Sequence, residues 1–171
     1  LWILQRLMSE WKTRGEEQSY DTLIPQAAEA TIASIIPVDD ALFMNPVNME
    51  NALMDYCRQH DLPVPQNKAE MVKCVLQSLA FKYKQAVEKL NRCLPSPIRQ
   101  LNIIGGGSQN KLLNQLTADT LGIPVYAGPV EATAIGNILT QAMAKGEISD
   151  LHELREIVRH SITPQVYHPK K

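Results

Sequence analysis

Three consecutive glycines mark the place where the sequence changes from a strand pattern to a helix pattern. Residues 101–104 are mostly apolar, Gly105, Gly106 and Gly107 follow, and an amphipathic helical pattern begins at Leu112. Glycine lacks Cβ, so its backbone adopts positive φ and allows a ligand to come close. The following helix presents unpaired N–H groups and its positive dipole end to the turn, which favours phosphate or ribose oxygens. We therefore interpret the stretch as a ligand-contacting turn, the alternative being a plain connection in which glycine only makes the turn.

The two best-known glycine motifs for nucleotides do not fit this turn. A dinucleotide fingerprint needs a third glycine where Asn110 stands, and an acid at the end of the next strand, where residues 125–127 are Val-Tyr-Ala. A phosphate-binding Walker loop needs Gly-Lys-Ser/Thr, whereas Lys111 follows Asn110. A nucleotide site is therefore expected in another fold.

Two further groups of residues could in principle support acid–base catalysis or metal binding. Asp39 and Asp40 form a carboxylate pair between prolines, which we interpret as turn residues, with acid–base catalysis as the lesser alternative. His152 opens a pattern similar to a zinc motif, but the position of the second histidine holds Glu156 and the next histidine is His160. Neither a metal site nor a nucleophilic triad is predicted.

Composition places the chain among ordinary globular proteins. It has 171 residues, of which 44% are hydrophobic and 20% charged, enough for one domain with a sizeable core. The formal net charge is −1, so the chain lacks the excess positive charge that favours binding to nucleic acid or to an acidic membrane surface. No apolar run approaches the roughly 20 residues that span a bilayer. Three cysteines suit a reducing cytoplasm, and Cys57 and Cys74 are expected on neighbouring helices as buried free thiols.

The hydrophobic periodicity predicts a helix-rich chain with two short strands. One helix is predicted to start at an Asp21 cap and to continue to Ile35, and the longest one, capped by Asn67, is expected to be buried along its length. Gly136 with Ala132 should form a small-residue face that packs on the sheet. Helices are predicted at residues 1–14, 21–35, 49–60, 67–94, 111–121, 131–144 and from 149, strands at 101–104 and 123–126, and an extended tail from 164.

The start of the chain lies inside a helical pattern and lacks methionine and a helix cap. We interpret this as a sign that preceding residues are missing, including strands that would complete the sheet. A two-stranded sheet leaves unpaired edges, so the fragment is expected to be capable of self-association through them.

The turn and its surroundings resemble a known family. Residues 103–110 (Ile-Ile-Gly-Gly-Gly-Ser-Gln-Asn) and 114–119 resemble the adenosine motif of the FGGY carbohydrate kinases. Residues 128–137 (Gly-Pro-Val-Glu-Ala-Thr-Ala-Ile-Gly-Asn), 1–5 and 43–46 are similar to the branch of that family that phosphorylates L-rhamnulose. The resemblance covers nearly the whole chain.

The resemblance implies an α/β fold of the actin-like ATPase type, with two ribonuclease-H-like domains and ATP between them. Residues 1–171 would be a helix-rich, nucleotide-binding C-terminal part of the second domain. Carried over by position, the turn lies along the adenosine and α-phosphate, and a helix glutamine contacts the nucleotide. The implied nucleotide-binding residues are Gln5, Gly105, Gly106, Gly107 and Ser108.

The activity implied is ATP-dependent phosphorylation of L-rhamnulose at its 1-hydroxyl, assisted by Mg²⁺. In this family the catalytic aspartate and the phosphate loops would precede Leu1, so no catalytic or metal-binding residue is expected in this chain. The expected partners are ATP, a ketose and the missing N-terminal portion of the same protein. Two alternatives remain open: a kinase for another ketose, such as xylulose or fuculose, and a non-catalytic nucleotide-binding module.

Overall fold

The computed structural model describes residues 1–170, and their contacts divide into two compact units. The first unit is Leu1–Ser96 and the second is Pro97–Lys171. Seven α-helices and three short strands occur in the described residues. Treating residues 1–171 as one nucleotide-side domain remains a prediction.

The first unit contains only helices and loops. Its helices are α1 (Trp2–Thr13), α2 (Tyr20–Glu29), α3 (Met49–Gln59) and α4 (Lys68–Asn91), with a 3₁₀ turn at Ala41–Phe43. The predicted positions of α1, α3 and α4 are confirmed within a few residues. The core side chains that are almost completely buried include Leu4, Leu7, Trp11, Leu23, Phe43, Met49, Leu53, Val72, Val75 and Leu76.

The prediction for α2 was wrong at both ends. Its cap is Ser19, whose hydroxyl accepts a hydrogen bond from the N–H of Thr22 at 3.2 Å, and Asp21 lies within the first turn. The helix ends at Glu29, well before Ile35. The β-branched residues that follow are poor helix formers, which agrees with the early end.

Residues 31–36 instead form neither helix nor strand and are held by side chains of α4. The N–H of Ile36 donates to Ser78 Oγ at 2.9 Å, and Gln77 Nε2 donates to the carbonyls of Ile32 (3.1 Å) and Ser34 (2.7 Å). These contacts between distant parts of the sequence supply bonds that a helix would have made internally. Periodicity alone did not reveal them.

Helix α4 begins as predicted but is buried over only half of its length. Asn67 Oδ1 accepts the N–H of Glu70 at 2.9 Å, and Glu70 Oε2 accepts the N–H of Gln66 at 2.7 Å. The buried residues of α4 all lie between positions 71 and 80. Leu90 and, beyond the helix end, Leu94 are 54% and 45% exposed, so the prediction of a stripe buried throughout was wrong.

The cysteines of the first unit agree with the prediction of free thiols. Cys57 on α3 and Cys74 on α4 are both buried and unbonded to another cysteine. Burial raises the pKa of Cys57 and raises the pKa of Cys74 to about 12. Cys74 Sγ also lies 3.3 Å from the carbonyl oxygen of Ser34, to which it donates. Both groups are therefore thiols rather than thiolates at neutral pH.

The second unit is built around a three-stranded sheet. Its elements are β1 (Leu101–Ile103), α5 (Lys111–Leu121), β2 (Val125–Ala127), α6 (Ala132–Ala144), α7 (Leu151–Ser161) and β3 (Gln165–Tyr167). Strands β1 and β2 are parallel and joined through α5, and β3 pairs antiparallel with the other side of β2. Gly122 ends α5 with φ 69°, as predicted for a helix cap.

Strand β3 corrects the prediction of a plain extended tail. Val166 pairs with Tyr126 of β2, and the residues beyond are tied to α5. Asp119 Oδ1 accepts the N–H of Lys170 at 2.7 Å, and Gln115 Nε2 donates to the carbonyl of His168 at 2.8 Å. The tail therefore completes the sheet on one side, while β1 and β3 are its outer strands. Self-association through those edges remains a prediction.

Helix α6 does not pack on the sheet as the small residues at Ala132 and Gly136 suggested. It has no buried residue, and a Cβ placed on Gly136 would meet no atom of the described chain within 4 Å. Its contacts are with α7, which also has no buried residue. The packing prediction was therefore wrong for the part of the chain that the structure describes.

Within residues 1–170, no helix is both long and apolar enough to cross a membrane.

Replacing the cap of α4 tests how much this helix contributes to the first unit. We expect Asn67→Ala to lower the free energy of unfolding by about 1 kcal/mol, because the N–H of Glu70 loses its acceptor. Urea unfolding followed by circular dichroism measures the change. Glu88→Ala, on the exposed half of α4, is the control and should change stability by less than about 0.5 kcal/mol. Equal effects of the two changes would contradict the role of the cap.

Candidate functional site

Two loops leave the same edge of the sheet, because parallel strands β1 and β2 end side by side. The first loop follows β1, and the second loop, residues 128–131, follows β2. Two main-chain hydrogen bonds join the second loop to the end of β1 and to the first loop. The N–H of Gly128 donates to the carbonyl of Ile103 at 2.8 Å, and the N–H of Gly105 donates to the carbonyl of Pro129 at 2.9 Å. Ligands of open α/β sheets bind outside the carboxyl ends of strands, which is where this pair of loops lies.

The first loop is the glycine turn, defined as residues 105–110. Gly105 has φ +74°, a conformation that L-residues rarely adopt, and a short 3₁₀ helix spans Gly106–Gln109. The Ser108 hydroxyl donates to the Gly105 carbonyl at 2.7 Å and the Ser108 N–H donates to it at 3.0 Å. The predicted strand–turn–helix order is confirmed, although only Gly105 of the three glycines requires positive φ.

The other two glycines of the turn carry free donors. Among residues 1–170, no acceptor is bonded to the main-chain N–H of Gly106 or Gly107. Gly106 is exposed, and a Cβ built there would meet nothing within 4 Å. Adjacent unpaired N–H groups bordering open space suit the oxygen of a phosphate or a hydroxyl group.

Two asparagines hold the glycine turn to α5. Asn110 Oδ1 accepts the N–H of Leu113 at 2.9 Å and so caps the helix. Asn114 is completely buried, and its Nδ2 donates to the carbonyl of Ser108 at 2.8 Å. Sequence reasoning assigned no role to either residue. The cap was recognisable as an asparagine before a helical pattern, but the bond of Asn114 to the turn had no local signal.

Ser108 is held inside the glycine turn by its own hydrogen bonds. It is buried at 7% exposure, and its hydroxyl is bonded within the turn. Ser108 therefore stabilises the turn in this structure, and its predicted contact with a nucleotide remains a prediction.

Gln5 lies on α1 in the first unit. Its side chain is exposed and has no hydrogen-bond partner in the described part of the chain, whereas its N–H donates to Leu1 at 3.1 Å. An exposed, unpaired amide is available to a ligand. The proposed contact of Gln5 with a nucleotide remains a prediction.

The two neighbouring aspartates both have partners within the chain. The carboxylate of Asp39 pairs with the ammonium of Lys82, and this hydrogen bond lowers the pKa of Asp39. Asp40 Oδ1 accepts the N–H of Leu42 at 2.8 Å and begins the 3₁₀ turn. The bond to Leu42, and the bond from the N–H of Asp40 to the Pro37 carbonyl at 2.9 Å, support the interpretation as turn residues. Among residues 1–170, no three His, Cys, Asp or Glu side chains form a group able to hold a metal ion.

Two open cavities lie in the first unit. One of about 640 Å³ includes Leu23 and Lys68, and one of about 330 Å³ includes Tyr56 and Phe81. Neither is lined by a residue that the sequence singled out for nucleotide binding. The candidate site is the loop surface at the sheet edge, where the N–H groups of Gly106 and Gly107 are unpaired among the described residues.

The geometry of this edge agrees with the family that the sequence matches. Residues 1–145 match the model of the FGGY family of carbohydrate kinases, C-terminal domain. The match covers most of the chain, including the glycine turn, the second loop and α6. The chain belongs to the FGGY family of carbohydrate kinases.

Several proteins similar to this chain are named rhamnulokinase. Rhamnulokinases of Bacteroides thetaiotaomicron, Pectobacterium atrosepticum and Bacillus subtilis are 44%, 45% and 38% identical to this chain over 171 residues. Each comparison covers 99% of this chain but 34%, 34% and 35% of the relative. The chain thus spans about a third of the length of the curated relatives that it matches.

Gly105 and Gly106 are adjacent, but only Gly105 has a positive φ. Gly105→Ala should destabilise the second unit by about 1–2 kcal/mol, because φ +74° is unfavourable for a residue with Cβ. Gly106→Ala is the matched control and should have a small effect, since its φ is ordinary and the space is open. Thermal or urea unfolding of both variants measures the difference. Equal stability of the two variants would contradict the described turn.

Proposed function

We propose that this chain forms the nucleotide-binding part of an ATP-dependent kinase that converts L-rhamnulose to L-rhamnulose 1-phosphate. One observation carries the proposal: at the carboxyl edge of β1 and β2, the N–H groups of Gly106 and Gly107 are unpaired among the described residues, and Gly106 borders open space. The contacts of this edge are made by backbone, so they suit a ligand rich in oxygen acceptors. ATP provides such oxygens in its phosphates and ribose.

The choice of sugar rests on the named relatives. Three proteins from different bacteria that are named rhamnulokinase match 99% of this chain at 38–45% identity. This agreement favours L-rhamnulose over xylulose or fuculose. A non-catalytic nucleotide-binding module is less well supported, because relatives along the whole chain carry a kinase name.

The work of this chain in the reaction would be to hold and orient the phosphoryl donor. In phosphoryl transfer, positioning and electrostatic stabilisation supply most of the catalysis. The N–H groups of Gly106 and Gly107 would hold an oxygen of the nucleotide, with Ser108 in the predicted contact set and Gln5 near the base. The hydrogen bonds between the two loops keep the donors from moving as charge shifts during transfer. The general base is expected outside residues 1–171.

A divalent ion such as Mg²⁺ normally accompanies ATP in this class of reaction. Among residues 1–170, no group of three or more His, Cys, Asp or Glu side chains could hold such an ion.

The proposal also includes the type of fold and the cellular location. A ribonuclease-H-like, actin-like domain agrees with the parallel β1–α5–β2 unit and its antiparallel neighbour β3. A cytoplasmic location is supported by two buried cysteines that are free rather than joined.

A chimera provides the direct test of the nucleotide turn. The matching third of the Bacteroides thetaiotaomicron rhamnulokinase is replaced by this chain, and Gly106→Val is introduced. We expect KM for ATP to rise at least ~tenfold, because the side chain fills the space where ligand atoms would lie. KM for L-rhamnulose should stay within about twofold, and circular dichroism should be unchanged, since the position borders open space.

The control for this experiment is the same valine substitution at Gly136, also open to solvent but on α6, outside the turn. It should leave KM for ATP unchanged. An unchanged KM in the Gly106 variant would remove the nucleotide from this turn. An unsubstituted chimera that binds ATP but phosphorylates no ketose would support the non-catalytic alternative.

Gln5 provides an independent test on the other unit. A polar contact to the nucleotide contributes on the order of 1 kcal/mol to binding. Gln5→Ala in the chimera should therefore weaken ATP binding about fivefold. Affinity for L-rhamnulose should not change. Loss of sugar binding in place of ATP binding would show that α1 belongs to the sugar side.

The chain by itself should be inactive. We expect residues 1–171 to show no turnover with ATP, Mg²⁺ and L-rhamnulose, and millimolar-range nucleotide binding at best, because the catalytic base is expected elsewhere. A coupled assay of ADP release measures this, with mass spectrometry excluding intact enzyme. Turnover by the purified chain would require a base within it, and Asp39 and Asp40 would be the first candidates.

A further inference from the structure

Asn114 is a polar residue in the core of the second unit. It lies on α5 with 0% exposure, and its Nδ2 donates to the Ser108 carbonyl at 2.8 Å. Its Oδ1 is also buried and has no partner among the described residues. An unpaired buried acceptor is destabilising, and most such groups in proteins are satisfied.

The hydrogen bond from Asn114 Nδ2 to Ser108 explains why a polar side chain occupies this buried position. An apolar side chain of similar size would leave no orphaned acceptor, but it would leave the Ser108 carbonyl without its partner. The bond of Asn114 joins the helix to a residue that closes the glycine turn. Ser108 donates from both its N–H and its hydroxyl to the Gly105 carbonyl. Gly105 in turn donates to Pro129 in the second loop at 2.9 Å.

These bonds form one continuous path from α5 through the turn to the second loop. The unpaired N–H groups of Gly106 and Gly107 lie within the segment that Ser108 and Gly105 enclose. Their direction is therefore determined by the two residues that this path holds. Without the Asn114 bond, the carbonyl end of the 3₁₀ segment would lose its fixed attachment to the helix.

We propose that Asn114 is the positioning residue of the nucleotide turn. It fixes Ser108, and thereby directs the N–H groups of Gly106 and Gly107 toward the ligand, without touching the ligand itself. This proposal rests on the proposed function, because it assigns to Asn114 the geometry of the same site.

Thr117 provides a matched control on the same helix. It is equally buried, and its hydroxyl donates to the Leu113 carbonyl at 2.7 Å, within α5. Removing this hydroxyl disturbs the core of α5 but none of the hydrogen bonds of the turn. A purely structural role of Asn114 would give both residues the same effects.

The test uses the ¹⁵N-labelled 171-residue chain and its variants Asn114→Leu, Asn114→Ala and Thr117→Val. We expect both Asn114 variants to shift the amide signals of Gly106, Gly107 and Ser108. Exchange of the Ser108 amide with solvent should accelerate at least ~tenfold relative to amides in the middle of α5, because one attachment of the turn is lost. Titration with ATP should show about tenfold weaker binding, as expected for a misdirected polar contact.

Thr117→Val should leave the turn signals, the Ser108 exchange rate and the ATP affinity within about twofold of the unmodified chain. Asn114→Ala adds no bulk and supports the comparison if Asn114→Leu does not fold. Unchanged turn signals and exchange in the Asn114 variants, or equal changes in Thr117→Val, would overturn the proposal. The proposed function is tested separately by the Gly106→Val chimera, and it fails if KM for ATP is unchanged there. The exchange rates decide whether Asn114 holds the turn, even if ATP shifts no signal of the isolated chain.

Discussion

The parallel pairing of β1 with β2 is the constraint on which the candidate site depends. Because the two strands run in the same direction, both following loops leave one edge, and main-chain bonds from Gly105 to Pro129 and from Gly128 to Ile103 join them. Within the glycine turn, the N–H groups of Gly106 and Gly107 have no acceptor among the described residues. The strands are only three residues long, so α5 and β3 supply the support that a wider sheet would give.

Local signals in the sequence predicted the elements that carry the site. An apolar run, three glycines and a helical pattern indicated β1, the turn and α5, and Gly122 marked the end of that helix. Asn67 similarly marked the start of α4. Each of these features depends on a few neighbouring residues, for which residue type decides the backbone conformation.

The features that sequence reasoning missed depend on residues far apart in the chain. Residues 31–36 have a helical spacing of apolar residues, yet they form no helix and are bonded to Gln77 and Ser78 of α4. Strand β3 forms because β2 has an open side and Asp119 binds the main chain of Lys170. The apolar spacing of α4 suggested burial throughout, but packing partners are present for its first half only. Tertiary contacts therefore overruled local pattern in each case.

The central claim is that the two joined loops bind the nucleotide. Hydrogen exchange of the chimera with and without ATP, followed by mass spectrometry, tests it without a substitution. The account predicts that ATP slows exchange in peptides covering residues 104–110 and 128–131, while the peptide covering the exposed end of α4 at residues 84–91 is unaffected. Protection confined to other peptides, with the two loops exchanging at their original rates while ATP is bound, would contradict it.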